Sequence, residues 1–375
     1  MKILMIRKET DVWYQRLKEF FNKEGYQIDL LDMWTYTLDK QTTNEKITIF
    51  KKGLLDKFPV FILFKRLLAA LILLGKLEKS YDVIHIFNIK RQNFWMVPKL
   101  RKLTRKLIIS VYGGTTYKLL TKRILFSRVF KYIDNFTLAN PYMMEEFLAV
   151  YGEKYRERTK VIPLPVAFLD VIDEVMAKES REESRQKLGI DEDKITIVPT
   201  IVASTSEPHI DNFKAILKAK LNPEKVFFVF QLTYGQSEEY KLEVIKFINE
   251  NFKNFKYKIF DKFLSYEDLA RLRISSDVLT YIQHYDQLSS GMLETFYTGG
   301  TVITGSWMPY QILKDLGIDF YEINNIEELP ETLNNVIKNL DEIKNRNRKH
   351  HSILYKEYNI NSVINKWINL YKLRN

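Results

Sequence analysis

Short apolar runs of strand length alternate along this chain with segments of helical period, the pattern of repeated βαβ units and parallel sheets. In the first half it predicts strands at Lys2–Ile6, Gln27–Leu31, Val83–Phe87, Leu107–Val111, Phe136–Ala139 and Val161–Leu164. Helices are predicted between them at Trp13–Asn22, Phe58–Leu77, Val97–Arg105, Tyr117–Tyr132 and Tyr142–Tyr151, the first with Trp13, Leu17, Phe20 and Phe21 on one face. After Pro163 and Pro165 the alternation gives way to a charged stretch without a strand. A second series follows, with strands at Ile195–Val202, Val226–Leu232, Tyr257–Phe260, Val278–Ile282, Thr301–Thr304 and Phe320–Ile323. The expected organisation is an α/β chain of two Rossmann-like, doubly wound domains, at 1–169 and 193–345. A linker at 170–192 would join them, and a C-terminal helix at 346–375 would pack back on the first. Open parallel sheets bind ligands outside the carboxyl ends of their strands, so chemistry is expected in a cleft between the two.

Length agrees with two cores: 375 residues are more than one ordinary domain needs. The chain contains no cysteine and five histidines. Disulfides, thiolate zinc sites and a cysteine nucleophile are thereby excluded, and a reducing, cytoplasmic setting is favoured. Met1–Ile6 is too short for a signal-peptide core, and Phe58–Gly75 is interrupted by Lys65 and Arg66, so neither reads as a membrane span. Charge is unevenly placed. Residues 51–130 hold 18 Lys+Arg and 3 Asp+Glu, interleaved with Phe58, Phe61, Phe64, Trp95 and Tyr112. Such a segment is either a solvated basic face or an attractant for anionic lipid, a polyanion or phosphate. The Lys-flanked stretch Lys51–Lys79 reads as a core helix or an interfacial one, with the interface favoured. No RNA- or DNA-binding module accompanies the basic residues, which argues against nucleic acid.

The segment Asp277–Trp307 carries the densest candidate chemistry. A buried strand ends near His284; Asp286, Ser289, Ser290 and Gly291 follow, and a helix then carries Glu294 before Gly299 and Gly300. Unpaired N–H groups at the helix start near Ser290 and Gly291 suit a diphosphate. Glu294, one turn in, is placed to accept ribose hydroxyls, and Asp286 to contact sugar hydroxyls. Asp191-Glu-Asp193 spells a D-x-D pattern but falls in a charged turn, and His350-His351 reads as an exposed pair.

The run Asp286-Gln-Leu-Ser-Ser-Gly-Met-Leu-Glu294-Thr-Phe-Tyr-Thr-Gly299-Gly300-Thr-Val-Ile resembles the E-x7-E motif and Gly-Thr-Pro-Val turn of GT-B nucleotide-sugar glycosyltransferases, with Asp for the first Glu and no Pro. Tyr81-Asp-Val-Ile-His85 and Val161-Ile-Pro-Leu-Pro-Val are similar to further strands of that family. Ser206-Glu-Pro-His209, Leu232-Thr-Tyr234-Gly235 and Phe263-Leu-Ser-Tyr resemble the subgroup that transfers an acetamido-fucose to a polyprenyl-linked acceptor. The resemblance implies a GT-B fold and donor contacts at His284, Ser289, Ser290, Gly291, Glu294, Tyr234 and Gly235, with Asp286 on the donor sugar. It implies a nucleotide sugar as co-substrate, no metal, and a lipid-linked or polysaccharide acceptor at the inner face of an anionic membrane.

The chain departs from the family pattern in lacking a Gly-rich loop after the first strand and an Arg/Lys pair in 200–206, which leaves Lys214 or Lys262 as phosphate ligands. The loop Gly113-Gly114-Thr115 stands where relatives place a Gly-rich turn and an acid, so the candidate base becomes His85. Two rival readings share the architecture: a sugar-nucleotide 2-epimerase, and a non-catalytic membrane- or polyanion-binding module.

Overall fold

Runs such as Lys-Ile-Leu-Met-Ile at 2–6 and Val-Phe-Phe-Val-Phe-Gln at 226–231 form strands covered on both faces, as continuous apolar segments do in parallel sheets. The computed structural model describes residues 1–7, 12–33, 35–41, 43–49, 59–78, 80–87, 91–112, 123–233, 235 and 237–372. Its strands in chain order are β1 Lys2–Ile6, β2 Gln27–Asp32, β3 Thr37–Lys40, β4 Glu45–Thr48, β5 Tyr81–Phe87, β6 Thr104–Val111, β7 Asn135–Leu138, β8 Thr159–Val161, β9 Ile195–Thr200, β10 Val226–Gln231, β11 Lys256–Phe260, β12 Val278–Tyr281, β13 Thr301–Gly305 and β14 Tyr321–Ile323. The α-helices are α1 Val12–Lys23, α2 Pro59–Lys76, α3 Val97–Arg101, α4 Arg123–Phe130, α5 Pro141–Tyr151, α6 Leu169–Lys178, α7 Arg181–Leu188, α8 His209–Lys218, α9 Glu238–Asn251, α10 Tyr266–Ser275, α11 Ser290–Tyr297, α12 Gln311–Asp315, α13 Leu329–Lys338, α14 Leu340–Asn347, α15 His350–Tyr358 and α16 Ile360–Lys372. They form two compact units, Met1–Pro165 with Ile360–Asn375, and Val166–Asn359.

The first unit holds a sheet of order β4-β3-β2-β1-β5-β6-β7-β8. All its pairings are parallel except those of β3 with β2 and with β4. Successive strand residues face opposite sides. Leu4 and Ile6 therefore meet Ala70, Leu73 and Leu74 of α2 on one face. Ile3 and Met5 meet Leu17 and Phe21 of α1, and Val363, Ile364 and Trp367 of α16, on the other.

The second unit is built on an all-parallel sheet of order β11-β10-β9-β12-β13-β14. Val198, Val229, Leu279 and Val302 fill one side of it; Ile197, Phe228, Phe230 and Ile303 fill the other. From β9 the chain winds outward through β10 and β11, then returns to β12 on the opposite side of β9. The topological switch point lies between β9 and β12.

Several boundaries differ from the sequence expectation. The stretch 170–192 is an integral part of the second unit, not a linker: Leu169, Val171, Ile172, Val175, Leu188 and Ile190 join its core. A capping box of Ser180 and Glu183 starts α7, and Gly189 in the left-handed conformation ends it. Arg181 and Arg185 of α7 converge with Lys344 on Asp277, which is 1 % exposed. Burial alone would raise the Asp277 carboxyl, but Arg181, Lys344 and Arg185 hold it below its usual value. Of the segment expected to pack back as one C-terminal helix, only the part from Ile360 belongs to the first unit. The helix expected to reach Arg105 stops at Arg101, because Thr104 already opens β6. His350 is fully buried instead of exposed, its Nε2 accepting the Asp319 N–H at 3.0 Å.

Candidate functional site

The loops leaving β9 and β12 meet at the switch point, where an open parallel sheet receives its ligand. The His284 N–H donates to the Ser206 carbonyl at 2.9 Å, and the Ser206 hydroxyl donates to Gln283 Oε1 at 2.9 Å. Gln283 Nε2 in turn donates to Glu207 Oε2 at 2.8 Å, while Asn212 Nδ2 of α8 donates to the Ile282 carbonyl at 3.1 Å. The loop after β10 joins them, with Gly235 bridged to Ala203. A Cβ on Gly235 would lie 1.8 Å from the Ala203 carbonyl oxygen, so no other residue allows that approach.

Glu207 is fully buried, and no Lys or Arg pairs with it among the described residues. Burial pushes its carboxyl well above the usual carboxylate range, outweighing hydrogen bonds to Thr200, Asn212 and Gln283. Thr200 Oγ1 donates to Glu207 Oε2 at 2.9 Å and also lies 2.8 Å from the Val202 carbonyl. His209, also buried, is pushed down to about 4 by desolvation and is neutral. Its Nε2 faces the Val202 carbonyl at 2.6 Å, an atom that only accepts, so the proton sits on Nε2 and Nδ1 accepts from the Tyr240 hydroxyl at 3.0 Å. The base of the site is thus an uncharged polar network that fastens three loops together.

Above it, α11 begins at Ser290 behind the N-cap Ser289, whose side chain makes no capping hydrogen bond. Its first N–H groups have no carbonyl within the helix to bond. Gly291 is buried beside Ile201 and Arg273; an added Cβ would come within 2.6 Å of Ile201 Cδ1. Asp286 is half-buried and accepts from the Tyr310 hydroxyl at 2.7 Å, with further hydrogen bonds from the Gln287 and Ser289 N–H groups and the Tyr281 hydroxyl. Desolvation raises its carboxyl above the usual value despite these donors. The expected sugar ligand is therefore tied into its own loop, where it holds the start of α11.

Glu294 does not stand open at the helix start. It is 2 % exposed, and its Oε2 accepts from Arg273 Nε of α10 at 2.9 Å. Arg273 Nη1 reaches Gln231 Oε1 at the end of β10, also at 2.9 Å. Glu294 Oε1 has no hydrogen-bond partner among the described residues. His284 and Tyr285 are exposed at the rim. Trp307 joins them, half-exposed, with its Nε1 donating to the Gln283 carbonyl at 2.9 Å. Its indole lies over Gly305, where a Cβ would meet the ring at 2.3 Å.

Other expected residues fall elsewhere. His85 sits on β5 in the first unit with no exposed surface, its Nδ1 2.6 Å from the Tyr371 hydroxyl and its Nε2 2.6 Å from Ser110 Oγ. Burial, then Arg7, pushes the imidazole well below its usual value. It is a neutral core residue with both nitrogens engaged, not a base open to substrate. Lys214 lines a separate pocket of about 280 Å³ with Asp211, Lys218, Ile326, Glu327 and Pro330. Gly113, Gly114, Thr115 and Tyr234 lie outside the described residues. Among those described, no group of three or more His, Asp or Glu side chains is arranged to hold a metal.

Sequence reasoning missed Arg273, Glu207 and Gln283. Arg273 had a signal: a lone charge between Leu272 and Ile274 in an apolar helix face implies a buried partner. Glu207 and Gln283 had none, being 76 residues apart.

No family model and no curated protein matches the sequence. Solved structures do match over the whole chain. Sucrose-phosphate synthase from Thermosynechococcus elongatus is similar with a TM-score of 0.77 at 12% identity, over 99% of this chain and 98% of that one. HepE from Anabaena, in complex with UDP and glucose, has a TM-score of 0.68 at 14% identity over 100% of both chains. An α,α-trehalose-phosphate synthase (UDP-forming) from Burkholderia vietnamiensis has a TM-score of 0.70 at 9% identity over 99% of both.

Proposed function

From the GT-B fold that these likenesses show, we propose that the chain is a glycosyltransferase. It moves a sugar from a nucleotide-sugar donor to a lipid-linked or polysaccharide acceptor in cell-surface glycan synthesis, at the cytoplasmic face of an anionic membrane. One observation carries the reading: at the β9–β12 switch point three loops are fastened by a buried polar network and the Ala203–Gly235 bridge, and Gly291 at the start of α11 packs against Ile201 beside them. The donor's diphosphate lies at the N–H groups of Ser290 and Gly291, which stabilise the charge that develops as the sugar departs. Glu294 Oε1 accepts from the ribose; His284, Ser289, Tyr234 and Gly235 flank the nucleotide, and Asp286 holds the loop. The reading takes no metal, because the helix start faces the diphosphate. The solved HepE complexes with UDP and with UDP-glucose support a nucleotide-sugar ligand for a chain of this fold.

The test is the shift in unfolding midpoint across nucleotides and nucleotide sugars, since a ligand that binds only the folded state stabilises it. One nucleotide class is expected to raise the midpoint. Glu294→Gln is expected to weaken that class about 10- to 100-fold, the loss of one charged hydrogen bond. No shift with any nucleotide refutes the proposal. A sugar-nucleotide epimer formed from donor alone replaces it with the epimerase reading.

A further inference from the structure

Helix α2, Pro59–Lys76, has two apolar faces where a surface helix needs one. Ala70, Leu73 and Leu74 pack into the first unit's core. On the opposite side Leu68, Leu71 and Ile72 are 39%, 46% and 37% exposed, and Gly75 is exposed with them. Their spacing of three, four and seven residues puts them in one narrow stripe. In the sequence, Phe61 and Phe64 stand seven and four positions before Leu68 and continue the same spacing.

Charge points to what covers this stripe. The first unit carries 34 Lys+Arg against 16 Asp+Glu, whereas the second carries 24 against 31. A soluble polyanion would use the charge and leave the apolar stripe wet; a neutral protein surface would use the stripe and leave the charge unmatched. An anionic bilayer uses both, taking apolar side chains below its headgroups and basic ones among them. No helix among the described residues is long and apolar enough to cross a membrane, so α2 would lie along the surface. We propose that the outward face of α2, centred on Leu68, Leu71 and Ile72, is the surface by which the first unit docks on an anionic membrane. The proposal concerns the first unit alone and does not depend on how the second unit binds nucleotide.

The test is co-sedimentation of the full chain with phosphatidylglycerol-containing vesicles and with pure phosphatidylcholine vesicles at low salt. Wild type is expected to pellet with the anionic vesicles only. Leu71→Ser/Ile72→Ser removes apolar contact without adding charge, and is expected to lower partitioning at least about tenfold. Both side chains are half-exposed, so the variant should retain its unfolding midpoint. Wild type remaining in the supernatant with anionic vesicles overturns the proposal. So does a double variant that pellets as wild type does, which would assign binding to the basic surface alone. Nucleotide-induced stabilisation measured on the same preparations is expected to be unchanged, so a failure here and a failure of the transferase reading are separately visible.

Discussion

The Arg273–Glu294 pair is the feature of the site most open to quantitative test. Arg273 and Glu294 side chains are 4% and 3% exposed, and the guanidinium has two acceptors, Glu294 Oε2 and Gln231 Oε1. Arg273→Met leaves a carboxylate in the interior without its cation, at a cost of about 3–5 kcal/mol. Glu294→Gln keeps an oxygen for Arg273 and should cost about 1–2 kcal/mol. In the double variant no charge is left stranded, so its cost should be about 2–4 kcal/mol, against about 4–7 if the two changes were independent. A coupling of about 2 kcal/mol or more follows. For a unit of this size Arg273→Met lowers the midpoint by about 6–20 °C. Calorimetry measures the three variants, and amide exchange on peptides of β10 and β12 locates the loss in the second unit. Additivity within about 0.5 kcal/mol, or an Arg273→Met cost below about 1 kcal/mol, would refute the assignment of a buried, mutually dependent pair.

Two further outcomes follow from the network at the switch point. The raised Glu207 carboxyl favours the protonated folded state. Its stabilising contribution is complete below the usual value of 4.5 and is lost as pH rises toward the folded value, at up to about 1.4 kcal/mol per pH unit. Glu207→Gln, a neutral isostere, lacks this slope. Its stability relative to wild type in urea titrations should therefore climb as pH rises above the usual value of 4.5, and a constant difference would contradict a neutral Glu207. Gly235→Ala should cost about 2 kcal/mol or more, because the new Cβ must displace the Ala203 carbonyl. It should also abolish the nucleotide-induced midpoint shift; an unaltered urea midpoint would mean that the two loops do not depend on each other.

The parallel strands were legible because their burial is written into composition. β5 reads Tyr-Asp-Val-Ile-His-Ile-Phe, nearly all apolar, and is buried along almost its whole length. β3 and β4, reading Thr-Leu-Asp-Lys and Glu-Lys-Ile-Thr, were not legible, since a partly wet edge hairpin uses residues that also make loops. The same logic divides the site. The α11 start announced itself through Ser289, Ser290 and Gly291 in one short stretch. The partners that neutralise or bury its charged groups come from strands and helices far away in sequence, and such pairings have no local pattern. His85 shows the reverse error: a histidine at the end of an apolar strand looks available until the helix that covers it, 286 residues later, supplies Tyr371.

That covering helix bears on how the protein is made. The face formed by Ile3, Met5, Val83 and Ile108 is closed by Val363, Ile364 and Trp367. These residues leave the ribosome only after all of Val166–Asn359 has been translated. The first unit therefore waits, with one side of its sheet covered only in part, by Leu17 and Phe21 of α1, while the second, contiguous unit can form in a single pass. During that interval the exposed part of the sheet face needs shelter from other nascent chains, so the demand for a chaperone should fall on the segment synthesised first and end abruptly when the last helix emerges.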